Sequence, residues 1–131
     1  MPRILIIEDD PDLAEIMAIT LRAAGHEVLL AADGAAGLAA LRRMPPDLAI
    51  IDIMLPDIVG LSLCERLREQ SAPGTPPLPM ILTSACDEHD ARPLALAAGA
   101  DDFLAKPFSP YQLNLRVHAL LGRPRAQPLA S

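Results

Sequence analysis

Aromatic side chains are scarce in this sequence. Its 131 residues contain no tryptophan, two phenylalanines and one tyrosine, whereas 51% of the chain is apolar. A chain of this length suits a single domain, and its apolar fraction is large enough to build one core. That core must therefore consist of Leu, Ile, Val, Ala and Met side chains.

An excess of basic residues is also missing, since 11 basic residues face 17 acidic ones and the net charge is −6. A nucleic-acid-binding segment is expected to carry a basic face, so this segment is not expected to bind nucleic acid directly. The longest uncharged run, residues 70–86, contains four prolines and is unsuited to a membrane helix. The first residues lack the long apolar stretch of a signal peptide.

Metal-binding cysteine motifs and nucleotide-binding motifs are absent as well. Cys64 and Cys86 form no CxxC pair, and two cysteines without another staple favour a reduced, cytoplasmic protein. No GxGxxG or P-loop occurs, so nucleotide binding has no support from a motif.

Short apolar runs alternate with helical patterns along the chain. The runs are too short for helices and are apolar throughout, which is typical of strands buried on both faces. They are Ile4–Ile7, Val28–Leu30, Leu48–Ile51, Met80–Leu82 and Phe103–Leu104. Alternation of this kind predicts an α/β fold, a doubly wound five-stranded parallel sheet with helices on both faces.

Capping residues locate the helices. Asp10 followed by Pro11, and Ser109 followed by Pro110, predict the starts of the first and last helices. The second helix should begin near Asp33, and the third should carry Leu61, Cys64 and Leu67. Pro93 is not tolerated deep inside a helix, so the fourth helix is expected to start late, with Asp90 as its cap. Residues 1–122 form the predicted domain, and residues 123–131 a linker or disordered tail.

Polar side chains follow four of the five predicted strands. Glu8 and Asp9 follow the first, Asp52 the third, Thr83 and Ser84 the fourth, and Lys106 the fifth. Because the carboxyl ends of parallel strands share one edge of a sheet, these groups should meet there. Clustered carboxylates favour a hard divalent cation such as Mg2+, and Asp52 could act as a nucleophile toward phosphorus. The cation and Lys106 would then neutralise charge on the phosphoryl oxygens, and a hydroxyl could donate a hydrogen bond to one of them.

These residues resemble the receiver domains of two-component response regulators over about residues 3–123. Three stretches carry the resemblance: residues 4–10 with Glu8 and Asp9, residues 51–60 with Asp52, and residues 99–108 with Phe103 and Lys106. The family implies the flavodoxin-like three-layer fold with strand order 2-1-3-4-5. It also implies a phosphorelay in which a histidine kinase or phosphotransfer protein donates a phosphoryl group to Asp52, followed by slow autodephosphorylation.

The resemblance also implies roles for individual residues. Mg2+ would be held by Glu8, Asp9, Asp52 and the backbone carbonyl of Met54, with Glu8 acting largely through water. Lys106 would pair with the phosphoryl group, and Phe103 would turn inward on activation. In the family, the switch hydroxyl follows the proline that opens the fourth strand by five positions. Counting from Pro79 selects Ser84, with Thr83 as the fallback.

The last third of the sequence resembles the class of response regulators that have winged-helix DNA-binding outputs. That class implies an output domain beyond Ser131 and a phosphorylation-dependent homodimer through helix 4, strand 5 and helix 5. Arg92, Asp101, Asp102 and Arg116 could form its charged pairs. However, Gln112 stands where an acid is usual, and Pro93 disturbs helix 4.

The same residues leave two other functions open. Haloacid-dehalogenase-like phosphatases use a similar set of residues, but they need a second Asp two positions after the nucleophile, where this sequence has Met54. A phosphorylation-independent interaction module with the same fold is the other alternative, although the intact set of Glu8, Asp9, Asp52, Ser84 and Lys106 argues against it.

Overall fold

The computed structural model describes residues 1–71 and 73–123. Strands and helices alternate in it: β1 Arg3–Ile7, α1 Pro11–Ala23, β2 Glu27–Ala31, α2 Gly34–Arg43, β3 Leu48–Asp52, α3 Gly60–Glu69, β4 Met80–Ser84, α4 Glu88–Ala97, β5 Asp102–Ala105 and α5 Pro110–Leu121. All strand pairs are parallel, and the sheet order is β2-β1-β3-β4-β5. The predicted fold class and strand order are therefore confirmed.

The sheet separates two apolar cores, one on each face. Along β1, Leu5 and Ile7 point into the core that α2, α3 and α4 cover, whereas Ile4 and Ile6 point into the core under α1 and α5. Successive strand residues face opposite sides of a sheet, so a central strand must be apolar at every position. Each fully buried Leu or Ile side chain contributes about 1.5–3 kcal/mol to folding.

Local signals produce most of the predicted helix ends. The Asp10 carboxylate accepts hydrogen bonds from two amides at the start of α1, and Pro11 occupies the first turn. Ser109 and Gln112 form a reciprocal capping box at the start of α5. Past the end of α1, Gly25 has φ +94°, a conformation that costs glycine little.

Helix α4 corrects one prediction. It begins at Glu88 and not near Asp90, because the Asp87 carboxylate accepts a hydrogen bond from the amide of His89 at 2.8 Å and acts as the cap. Pro93 therefore lies within the second turn, where it cannot donate to the His89 carbonyl. This turn is exposed, so water can take the place of the missing donor.

A proline-rich segment connects α3 and β4, since α3 ends at Glu69 and β4 begins at Met80. Residues 124–131, which make up most of the predicted tail, lie outside the described residues, and the domain boundary stays a prediction.

Within residues 1–71 and 73–123, no helix combines the length and the apolar character needed to cross a lipid bilayer.

Candidate functional site

The register of the sheet brings the predicted site residues to one edge. Ile7 pairs with Ile51, Asp52 with Thr83, and Ser84 with Ala105. The residue that follows each pair therefore emerges at the same carboxyl edge, where loops leave the sheet. Side chains from distant parts of the sequence therefore meet at this edge: Glu8 and Asp9 of the first loop, Asp52 and Lys106.

Three carboxylates form a cluster at this edge. One oxygen from each of Glu8, Asp9 and Asp52 lies within 4.8 Å of the other two. Glu8 and Asp52 are buried, while Asp9 is exposed and leaves one side of the cluster open to solvent. Mutual repulsion makes such a cluster favourable for a cation, and oxygen-only donors with room for water suit Mg2+. The residues present therefore fit this ion.

Lys106 joins two of these carboxylates. Its Nζ lies 2.9 Å from Asp52 Oδ2, to which it donates a hydrogen bond, and 2.7 Å from Glu8 Oε1. The contact with Glu8 is a close ion pair. Lys106 is the only lysine in the sequence. A single ammonium group therefore balances part of the charge of three acids.

The ionisation of these groups follows from burial and pairing. Burial raises the pKa of Glu8, and this effect exceeds the opposing effects of Lys106 and of the hydrogen bond that Glu8 accepts from the Asp10 amide. Burial alone would lower the pKa of Lys106, but its contacts with Glu8 and Asp52 outweigh it, so the pKa of Lys106 is raised. The lysine is thus held in its charged form at neutral pH.

A known protein family matches most of the chain. The family model described as the response regulator receiver domain matches residues 4–118. The chain belongs to the response regulator receiver domain family.

Individual relatives cover nearly all of this receiver domain. The DNA-binding response regulator MtrA of Mycolicibacterium smegmatis is 42% identical over 96% of the chain, and the DNA-binding dual master transcriptional regulator RpaA of Synechocystis is 39% identical over all of it. The chain spans about half the length of these relatives, 53% and 54% respectively. The BeF3-activated receiver domain of RstA from Klebsiella pneumoniae superposes with a TM-score of 0.82 at 30% identity, covering 92% of this chain and 99% of that one.

The two candidate switch hydroxyls of the receiver domain are adjacent and both buried. Thr83 is in register with Asp52, whereas Ser84 lies one position further toward the edge, and its carbonyl accepts a hydrogen bond from the Lys106 amide at 2.8 Å. Ser84 Oγ accepts from the Cys86 amide at 3.0 Å, which leaves its own hydrogen available for donation. The choice of Ser84 over Thr83 stays a prediction.

Phe103 already lies inside the receiver domain. Its side chain is fully buried in the core under α3 and α4, and its carbonyl accepts a hydrogen bond from Arg92 at 3.0 Å. The inward position that we expected after activation is thus the one observed here, and the change of position stays a prediction.

The charges predicted for a dimer face are paired within the chain. Arg92 and Arg116 both contact Asp102, at 3.0 and 2.9 Å. Asp101 contacts Arg68 at 2.8 Å and Arg123 at 3.2 Å. Gln112, at the position where an acid was expected, completes the capping box of α5. These contacts tie α4, β5 and α5 together in one protomer.

Sequence reasoning missed Asp57 and Arg68. The Asp57 carboxylate accepts hydrogen bonds from the first two amides of α2, while Arg68 donates to the carbonyls of Leu78 and Gly99 and to Asp101. An exposed loop aspartate and a helix-surface arginine carry no sequence signal for such contacts, because their partners are distant in the chain.

A cleft beside Lys106 completes the edge. It has a volume of about 270 Å³ and is lined by Asp10, Leu13, Ala85, Lys106, Pro107 and Phe108. Its lining is largely apolar apart from the charged groups of Asp10 and Lys106.

Proposed function

We propose that the chain works as a phosphorylation-switched receiver domain that accepts a phosphoryl group on Asp52. One observation carries this proposal. The Asp52 carboxylate, buried beside Glu8 and Asp9, is held by the Lys106 ammonium at 2.9 Å. A nucleophile, a cluster able to bind a cation and a fixed positive charge thus lie together, as phosphoryl transfer requires.

Hydrogen bonds hold the nucleophile in position. The Met54 amide donates to Asp52 Oδ1 at 3.0 Å, and Lys106 donates to Oδ2 at 2.9 Å. A carboxylate oxygen of Asp52 would attack phosphorus, the bond from phosphorus to the donor's imidazole nitrogen would break, and that nitrogen would keep the bonding electron pair. The product is an acyl phosphate on Asp52. Lys106 and the hydroxyl of Ser84 would contact its new oxygens.

We further propose that Glu8, Asp9, Asp52 and the Met54 carbonyl would hold Mg2+. When bound, this ion supplies positive charge to the oxygens of the transferring phosphoryl group. Asp9 is exposed, so the cluster is open to solvent on that side. A phosphoryl donor could enter there. Slow autodephosphorylation by water would return the domain to its first state.

The partners belong to the same proposal. A histidine kinase or phosphotransfer protein would dock over the cleft beside Lys106, in the cytoplasm, and the surface of α4, β5 and α5 would pass the change on through Ser84 and Phe103. Because the relatives are DNA-binding regulators about twice as long, we propose that an output domain for transcription follows this segment. A homodimer through α4, β5 and α5 would require the ion pairs of Asp101 and Asp102 to exchange partners.

The phosphatase alternative is not favoured. The residue two positions after Asp52 is Met54, whose side chain is exposed and has no group that could act as a general acid or base. Response regulators are signalling proteins, and a persistent acyl phosphate suits that role.

Incubation with acetyl phosphate tests the proposal. With Mg2+ present, intact-mass measurement should show the addition of one phosphoryl group, and removal of Mg2+ by a chelator should prevent it. Asp52→Ala should abolish the addition, whereas Asp12→Ala, which changes an exposed aspartate on α1, should keep it. Labelling that persists in the Asp52 variant would refute the assignment of the phosphoacceptor.

A further inference from the structure

The loop between β3 and α3 carries Met54 and is closed mainly on itself. Met54 and Val59 form an isolated antiparallel bridge, and the Gly60 amide donates to the Ile53 carbonyl at 2.7 Å. The Met54 amide also contacts Asp52, as described above. These contacts define the shape of the loop, but they do not attach its outer part to the neighbouring elements.

Asp57 supplies that attachment. Its Oδ1 accepts a hydrogen bond from the Gly34 amide at 2.8 Å, and its Oδ2 accepts one from the Ala35 amide at 2.9 Å. These amides open α2, where backbone donors have no partner inside the helix and the helix dipole favours a negative charge. The carboxylate of one loop therefore caps a helix that begins 23 residues earlier in the chain.

The glycine at the start of α2 makes the approach close. A Cβ atom placed on Gly34 would collide with Cγ2 of Ile58 and would lie 3.2 Å from Asp57 Oδ1. The loop thus contacts α2 through an apolar side chain and a carboxylate at once. The same two hydrogen bonds lower the pKa of Asp57, so it is charged at neutral pH.

We propose that Asp57 is a positioning residue for the Mg2+ site, because its carboxylate anchors to α2 the loop that presents the Met54 carbonyl. The inference rests on the proposed function, which assigns that carbonyl to the metal. Asp57 does not touch the carboxylate cluster itself. Its role is to hold the loop in the conformation that the metal requires, so that Mg2+ binding carries no entropic cost for ordering the loop.

Asp33 offers a matched control on the same helix. Its Oδ1 accepts a hydrogen bond from the Ala36 amide at 2.7 Å, so Asp33→Ala also removes a cap from the N-terminus of α2. It leaves the contact between the helix and the loop in place. A loss that arises only from a weaker helix should appear in both Asp33→Ala and Asp57→Ala, whereas a loss of loop position should appear only in the second.

Two measurements decide between these effects. Titration with Mg2+, followed by backbone amide shifts, should show several-fold weaker binding in Asp57→Ala, a smaller loss in Asp57→Asn and no change in Asp33→Ala. Amide hydrogen exchange of the metal-free protein should become faster at Gly60 in Asp57→Ala but not in Asp33→Ala. Gly34→Ala, which displaces the same contact from the helix side, should reproduce the effects of Asp57→Ala.

Failure of this inference can be separated from failure of the proposed function. If the wild-type protein gains no phosphoryl group from acetyl phosphate with Mg2+, the proposed function is wrong, and the inference falls with it. If the wild type is phosphorylated but Asp57→Ala and Asp57→Asn both bind Mg2+ as the wild type does, only the positioning role is overturned. Equal losses in the Asp33 and Asp57 variants would also overturn it, since they would show a general effect of capping.

Discussion

Lys106 Nζ lies 2.9 Å from Asp52 Oδ2, although the two residues are 54 positions apart in the sequence. The side chains meet because β3 and β5 flank β4 and all three strands end at the same edge. The ammonium also contacts Glu8, so it balances carboxylates from two strands.

Replacing Lys106 with Met should therefore make the metal-free protein less stable. Glu8 and Asp52 would remain buried beside Asp9 without their cation, and a buried acceptor that loses its hydrogen-bond partner costs at least about 1–3 kcal/mol. Added Mg2+ should restore more stability in the variant than in the wild type. Without the ammonium, the carboxylates should bind the cation more tightly, and the stability gained from a ligand rises with its affinity for the folded protein. Urea unfolding with and without Mg2+ measures both quantities. Equal gains in the two proteins would contradict the proposed balance of charge.

The switch hydroxyl can be assigned with two nearly isosteric variants. Beryllofluoride with Mg2+ should shift the backbone amides of α4 and β5 in the wild type. Ser84→Ala should greatly reduce these shifts, because the phosphoryl mimic would lose its hydroxyl partner, whereas Thr83→Val should retain them. If the Thr83 variant loses the response and the Ser84 variant keeps it, the assignment moves to Thr83.

The ion pairs of Asp102 should contribute a pH-dependent stability. Burial alone would raise the pKa of Asp102, but hydrogen bonds from the Phe103 amide, Arg116 and Arg92 lower it below its ordinary value near 3.8. The stabilisation is therefore present above pH 3.8 and is lost as the pH falls through the lower pKa of the folded protein. Asp102→Asn should lower the free energy of unfolding at neutral pH by about 1 kcal/mol, since both arginines are partly exposed.

Chemical unfolding of Asp102→Asn and the wild type at several pH values checks this expectation. The difference in stability between the two proteins should shrink as the solution becomes more acidic than pH 3.8. A difference that stays constant down to the lowest pH at which both proteins fold would contradict it.

Gly99→Ala should be more destabilising than the same change at Gly25. Both glycines have positive φ, +104° and +94°, so alanine at either position strains the backbone by about 1–2 kcal/mol. A Cβ atom at Gly25 would meet no atom within 4 Å, whereas one at Gly99 would lie 2.8 Å from Cγ of Arg68. Moving Arg68 would disturb its hydrogen bonds to the Gly99 carbonyl and to Asp101.

Thermal unfolding of the two glycine variants provides the measurement. The additional loss at Gly99 should be on the order of 1 kcal/mol, as expected for overpacking at a partly buried contact. Equal losses in the two variants would show that Arg68 can move without cost.

Local chemistry made most of the secondary structure predictable. Asp10 with Pro11, Ser109 with Pro110, and the short apolar runs each specify an element through residues next to one another. Helix α4 was the exception. The helix begins at the Asp87 cap and tolerates Pro93 because the turn around Pro93 is exposed, and this exposure cannot be seen from the sequence.

By itself, the sequence determined the alternation of strands and helices, the residues that follow each strand, and hence the acids, the hydroxyls and the lysine at the edge. Only the tertiary structure decided how they meet: which oxygens Lys106 contacts, the inward position of Phe103, and the contacts of Asp57 with α2 and of Arg68 with Asp101. The physical reason is one of range. Caps and apolar periodicity act over a few neighbouring residues, whereas these contacts join groups more than 20 positions apart, whose distance and burial exist only once the sheet has brought its strands into register.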